Sequence, residues 1–381
     1  MTFEYDPGTA EFQADPYAVY RVLRDRYPVY HNQRLGFWAL SRFEDVWNAA
    51  RNPERFSSLV SEASALMPMM IFMDPPRHDA LRALVSRAFT TRRIAELEPM
   101  IRAVARGLIE RCAGHGGGDM IADVAGPLPG LVIGELIGVP EEQRLVFTSW
   151  AQKLLEADPN SPNPDVAPAA EIYRCFAELL AERRRSPAAD LMSALLDAEV
   201  EGERLTEEEL LGFCFLLVVA GSDTTTNLIG NGVALLAQHP HQRASLVEDP
   251  TLLPNAIQEM LRYEPPAQAL PRSATRDIEL HGVTIPAGAR VSLLWAAANR
   301  DEREFDQPER FEVRRRITRH LSFGTGTHFC LGFSLAELEA RVAFEELLRV
   351  APTFEIADQE PPRVTSGWAR AFRRLPVILN S

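Results

Sequence analysis

From Thr206 to Gln238 the sequence carries one continuous helical pattern, and a rod of that length constrains everything packed around it. Thr206 and Glu209 (TEEE) form a capping box, and His239-Pro240 ends the pattern. At 1.5 Å per residue the helix is about 50 Å long, enough to cross the whole molecule. Its middle, Ala220-Gly221-Ser222-Asp223-Thr224-Thr225-Thr226, is made of poor helix formers. One glycine and three β-branched residues together cost on the order of 2 kcal/mol against alanine. A Thr224 hydroxyl bonded to the Ala220 carbonyl would bend or bulge the helix, with Gly221 leaving open space beside it. An acid next to an alcohol there reads as a proton-delivery site; the alternative is a solvent-facing kink with Asp223 hydrated.

The second constraint is Phe323 to Gly332, FGTGTHFCLG. Leu331, Leu335, Leu338, Val342 and Leu347 then recur at helical spacing, which places Cys330 at a helix start behind a glycine-rich loop. Unpaired N–H groups and the helix dipole lower a thiol's pKa at such a position. Gly324, Gly326 and Gly332 let backbone close around the sulfur. A thiolate so placed is a metal ligand or a nucleophile; the alternative is an inert buried cysteine. Cys112, Cys175 and Cys214 show no paired spacing, so the chain reads as a protein of a reducing compartment without disulfides.

Other helices are expected at Pro16–Arg26, with Asp15 as N-cap, and over 76–87, 91–113, 141–156, 166–185, 252–263 and 331–350. Strand signals are few: Leu35–Leu40, a hairpin around His281-Gly282, Val291–Leu294 and Pro376–Leu379. The proline-rich stretch Asp158–Pro168 reads as a loop, not a linker. The expectation is a single domain over residues 1–381, mainly α with a small β portion. A net charge of −13 argues against a nucleic-acid partner. The longest apolar run, Leu210–Gly221, falls short of the roughly 20 residues a membrane span needs. The N-terminus has no apolar signal segment, so the expected location is cytoplasmic, with no membrane contact.

Two further motifs complete the set. Glu259 and Arg262 (EMLR) lie i, i+3 on one helix, where they can pair. His78 and Arg82 (HDALR) lie i, i+4, both pointing the same way, and could hold an anion. Taken together and in this order, HDALR, AGSDTT, EMLR and FGTGTHFCLG resemble the soluble bacterial members of the cytochrome P-450 family. The resemblance implies a triangular helical prism with heme b (iron protoporphyrin IX) between the long helix and the cysteine loop. It makes Cys330 the proximal thiolate ligand of iron, with Phe323 packed beside the sulfur. It assigns His78, Arg82, Arg272 and His328 to the haem propionates. Glu259, Arg262 and Arg310 become a structural ion network under the haem. Thr224 is the alcohol that stabilises bound dioxygen, and Asp223 relays protons to it. Asn299-Arg300-Asp301-Glu302 departs from the family, which commonly has proline after the aspartate; as a surface turn it is expected to matter little.

The resemblance also implies a monooxygenase fed by separate electron carriers. Arg310, Arg314, Arg315, Arg316 and Arg319, with Arg87, Arg92 and Arg93, form a basic patch on an acidic protein. Such a patch suits a ferredoxin or flavodoxin, served by its reductase. Matching pocket positions are Leu66–Phe72 (with Met70, Ile71 and Phe72), Val219, Ala220, Gln268, Leu270, Trp368 and Ala369. They favour a medium-sized, mostly apolar organic substrate alongside O2. Competing readings are a haem–thiolate peroxygenase or isomerase, which needs neither Asp223 nor Thr224, and a haem sensor or carrier without turnover. A zinc site from His328 and Cys330 lacks further ligands at metal spacing.

Overall fold

A computed structural model describes residues 3–60, 69–156, 166–199 and 202–380. Helices dominate, and three small sheets of five, three and two strands flank them. The central helix runs Glu207–Gln238 behind the expected capping box, and His239 is its C-cap. By length and composition it could cross a membrane. Here it is the core rod, burying Leu210, Phe213, Val218 and nearly every residue from Asn227 to Leu236.

No bulge interrupts residues 220–226, contrary to expectation. Nor does Gly221 leave open space: a Cβ there would lie 2.8 Å from Ile133 Cδ1. Gly232 is pressed in the same way against Phe344. These glycines bring neighbouring helices close to the rod. One neighbour, Pro127–Ile137, escaped the sequence reading because it is apolar on every side and shows no stripe to read.

Pro16–Arg26 forms as read, with the Asp15 carboxylate accepting from Tyr17 N–H. The expected helix over 91–113 is two helices, Thr91–Glu96 and Glu98–Gly114, parted at Leu97 with Pro99 opening the second. Pro240 ends one helix and opens another, Pro240–Glu248. The strand expected over 35–40 begins at Phe37, after a turn in which Gly36 takes φ +67°. Residues 158–165 of the proline-rich stretch, and Leu66–Pro68 of the pocket reading, lie outside the described residues.

The five-stranded sheet orders Val29–Asn32, Phe37–Leu40, Arg290–Leu293, Leu270–Ala274 and Phe56–Ser57. Its Leu270–Ala274 strand, unseen in the sequence, pairs Arg272 with Val291 and so fixes where that arginine stands. The largest apolar cluster gathers the helical body, and two smaller ones lie under the sheet and the N-terminal helices.

Candidate active site

The cysteine loop is shaped by two left-handed glycines. Gly324 has φ +67°, and a Cβ there would sit 2.5 Å from the Trp295 ring; Gly326 has φ +70° and lies against Arg51 backbone. Only glycine meets both demands without strain. Gly332, by contrast, has open space around it and a negative φ. A short turn at Gly326–His328 follows, and Cys330 N–H donates to Phe323 O at 2.8 Å. The Phe323 ring packs on the main apolar cluster, between His320 and Phe333. The helix opens at Phe333, so Cys330 stands just before it.

That position does not make the protein's thiol acidic by itself. Burial pushes Cys330 up to about 11, and the Gly332 N–H and the Arg82 charge only partly offset it. The sulfur keeps its proton at neutral pH unless a cation takes the proton's place. Among the described residues no three His, Cys, Asp or Glu side chains gather as a metal site. The zinc reading therefore gains no further ligand, and Cys330 suits a metal that brings its other donors with it.

Next to the loop stands a cluster of imidazole and guanidinium groups. His78 is fully buried; Nδ1 meets Asp79 at 3.0 Å, while Nε2 is buried with no partner among the described residues. Its ring lies 4.2 Å from that of His328, whose Nε2 bonds Ser58 Oγ at 2.9 Å. Burial and the nearby Arg272 push His328 down to about 3, so it is neutral and acts by hydrogen bonding. Arg82 Nη2 donates to Phe329 O at 2.6 Å. Arg272 is buried and, among the described residues, has only its neighbour's carbonyl, Pro271 O, as a hydrogen-bond acceptor, and burial pushes it down to about 10. Asp74, whose charge reaches Arg272, is already held by Ser57 and Ser58. An orphaned imidazole nitrogen and an under-partnered guanidinium fit carboxylates supplied by a ligand.

On the central helix, Thr224 Oγ1 donates to Ala220 O at 2.6 Å, the predicted back-bond, made without a break in the helix. Asp223 is no hydrated kink. Burial pushes its carboxyl up to about 6, and Asn227 Nδ2 donates to Oδ1 at 3.1 Å. Ala220 is exposed in the middle of this buried rod, and Val219, Asp223 and Thr224 are half-buried.

The pocket positions divide. Met70 is in the main core, with Ile71 and Phe72 half-buried on the same turn. Leu270 packs on the cluster under the sheet. Gln268 is occupied elsewhere, since its amide donates to Pro265 O and accepts from Tyr20, tying down the N-terminal helix. Ala369 is buried in a bridge with Ala267, and Trp368 is 44% exposed.

Beneath the loop, Glu259 and Arg262 have no exposed surface. Their bidentate pair spans 2.6 and 2.9 Å, and Arg262 also reaches Asn299 O and Pro308 O. The third side chain is Arg315, not Arg310: Arg315 Nε donates to Glu259 Oε1 at 3.1 Å. The Arg310 guanidinium lies outside on Glu312, and only its carbonyl joins the network. The segment from Asn299 to Asp301 is buried and no surface turn. Asn299 holds Leu321 and Ser322, Arg300 is sandwiched between Tyr17 and Tyr263, and Glu302 pairs with buried Arg24. Nothing in the local sequence distinguishes such a segment from a polar turn.

The basic patch is thinner than its arginine count. Arg319 pairs with Glu304 and Glu44, Arg92 with Glu96, and Arg315 is taken inside. Arg314 and Arg316 are exposed, and among the described residues their guanidinium groups have no carboxylate partner, the Glu312 carboxylate taking only the Arg314 backbone N–H. Arg87 bonds the Glu199 carbonyl.

Residues 167–376 match the family model for cytochrome P-450. The cytochrome P-450 123 of Mycobacterium tuberculosis is 42% identical over 390 residues, spanning 99% of this chain and 97% of that protein. The vitamin D(3) 25-hydroxylase of Pseudonocardia autotrophica is 39% identical over 399 residues, spanning 100% and 97%. A solved cytochrome P-450 from Chondromyces apiculatus superposes with a TM-score of 0.90 at 38% identity, covering 98% of each chain. The matched length takes in the cysteine loop, the buried ion pair and the long helix, and the chain belongs to the cytochrome P-450 family of haem-dependent monooxygenases.

Proposed function

We propose that this enzyme holds heme b through Cys330 Sγ and inserts one atom of O2 into a C–H or C=C bond of a medium-sized, mostly apolar organic molecule. The observation that carries the reading is the proximity of Cys330's loop to His78 Nε2 and the Arg272 guanidinium, which among the described residues have no carboxylate hydrogen-bonded to them. His78 Nε2, Arg82 and Arg272 would take the propionates by charge and hydrogen bond, and neutral His328 would add a hydrogen bond. When bound, the haem supplies oxygen activation at iron, and thiolate donation favours O–O cleavage.

The chain's own residues manage the protons. Asp223, pushed up to about 6, holds a proton on its carboxyl for part of the time at neutral pH. Asn227 fixes Oδ1, leaving Oδ2 to pass that proton on and recover another from water. Thr224 Oγ1 can turn from the Ala220 carbonyl toward the distal face and donate there. Two electrons and two protons enter with O2 and substrate; an alcohol (from C–H) or an epoxide (from C=C) and one water leave. The acid–alcohol pair favours this reductive route over a peroxide-dependent one.

The electrons come from a ferredoxin or flavodoxin and its reductase, drawn by Arg314, Arg316 and Arg87. An apolar substrate agrees with the Met70–Phe72 turn and Val219, and with the named activity of the vitamin D(3) 25-hydroxylase. The chain acts as one haem domain over residues 1–381, in the cytoplasm. The test is the reduced protein under carbon monoxide. A strongly red-shifted Soret band supports thiolate ligation, and its absence from haem-loaded protein, or its persistence in C330S, sinks the reading.

A further inference from the structure

We infer that Glu337, tied to the cysteine loop through Gln258 and His320, is a positioning residue whose negative charge lowers the reduction potential of the haem iron that Cys330 would hold. The inference rests on the proposed ligation by Cys330.

Three segments meet in one directed chain. His320 Nδ1 accepts the Ser322 N–H at 3.1 Å. Its Nε2 donates to Gln258 Oε1 at 2.9 Å, and Gln258 Nε2 donates to Glu337 Oε1 at 2.8 Å. Burial and Arg262 push His320 down to about 4, so it is neutral and each of its nitrogens keeps one role. The His320 ring packs 5.8 Å from that of Phe323, and the Phe323 carbonyl takes the Cys330 N–H. Glu337 is therefore fastened to the same short segment that shapes the sulfur's surroundings.

Glu337 also keeps its charge uncancelled. On the same helix, Glu345 and Glu346 pair with Arg102, Arg106, Arg341 and Arg349. Among the described residues Glu337 has no ion-pair partner, and it is half-buried, which limits solvent screening. Arg82 and Glu337 act on the Cys330 sulfur with opposite sign. Reduction adds negative charge at the site, so a fixed carboxylate opposes it. The Gln258–His320 tether keeps that carboxylate from swinging into solvent.

The test is a spectroelectrochemical titration of the haem-loaded wild type, E337Q and E337D. At a fixed applied potential, E337Q is expected to raise the reduced-to-oxidised ratio by roughly threefold to tenfold, the effect of one partly screened charge. E337D keeps the charge and should stay near the wild type. An unshifted E337Q, or an E337D that shifts as far as E337Q, overturns the inference, since packing would then account for any change. The carbon monoxide band is recorded for each protein. A wild type without the red-shifted band overturns the ligation and this inference with it; a normal band with an unshifted potential overturns this inference alone.

Discussion

Asn227 Nδ2 reaches back one turn of the central helix to donate to Asp223 Oδ1 at 3.1 Å, and it is the one hydrogen bond this half-buried acid makes among the described residues. Among the described residues no cation sits beside Asp223 to hold it ionised, and burial pushes it up to about 6. The protonated form that donates is therefore dominant below about pH 6 and is depleted as pH rises through that value. Coupled turnover under conditions limited by proton delivery is expected to fall across the same window. D223N should flatten that profile and slow product formation by about a hundredfold. N227A removes a hydrogen bond that favours the carboxylate, so its inflection should move to higher pH. Product formation at fixed electron supply, followed from pH 5 to 8, checks all three proteins.

Thr224 is expected to separate oxygen consumption from product. With Oγ1 gone in T224A, the back-bond to Ala220 is lost at little cost to the helix, since the threonine was a poor helix former there. Electrons would still be consumed, but peroxide would leave in place of product. The measurement is the ratio of product to peroxide per electron pair; an unchanged ratio would remove Thr224 from the proton path.

Gly326 carries φ +70° with Arg51 Cα 3.0 Å from where a Cβ would point. Alanine there pays a left-handed penalty of about 1–2 kcal/mol before any clash. Because the same turn leads to His328 and Cys330, G326A is expected to lose haem faster than wild type when challenged with a haem scavenger. G332A, at negative φ and with open space for a Cβ, should be far milder toward the protein fold.

Local chemistry was legible where it is self-contained. Asp15-Pro16 and Thr206–Glu209 announce helix starts because the capping groups act within one turn. Gly324 and Gly326 likewise mark a tight loop. What escaped depends on tertiary placement. The Pro127–Ile137 helix has no amphipathic stripe because it is buried on almost all sides. Asn299–Asp301 reads as polar, yet its groups are satisfied by Tyr263, Leu321 and Phe43, distant in sequence. The Cys330 thiol reads as acidic from its helix start, but desolvation is the larger effect and only the fold reveals it.

The exchange of Arg310 for Arg315 in the ion network has a direct consequence. Arg315 is 14% exposed and bonds Glu259 inside the protein, while the Arg310 side chain is 63% exposed on Glu312. R315A removes one of the three donors to Glu259 Oε1, together with the Arg315 bonds to the Asp306, Gln307 and Arg310 carbonyls, and should cost about 2 kcal/mol. R310A keeps the carbonyl that the network uses and should change stability by no more than about 0.5 kcal/mol. Chemical denaturation of the two haem-loaded variants settles the comparison, and equal losses would return Arg310 to the network.

Glu339 sits on the helix that follows Cys330, 1% exposed, with Oε2 unbonded among the described residues. Burial pushes its carboxyl from 4.5 up to about 8. The folded protein thus prefers the protonated acid, whereas the unfolded chain ionises near 4.5. Below pH 4.5 the group is neutral in both states and takes nothing from stability. As pH rises from 4.5 toward 8 the unfolded chain gains the ionised form that the fold refuses, at about 1.4 kcal/mol per unit. Above about 8 the loss is complete and levels off. E339Q keeps the shape and removes the titration, so its melting temperature should match wild type near pH 4.5 and exceed it at pH 8. Equal melting temperatures at both pH values would mean that Glu339 is ionised in the fold with a partner to support it.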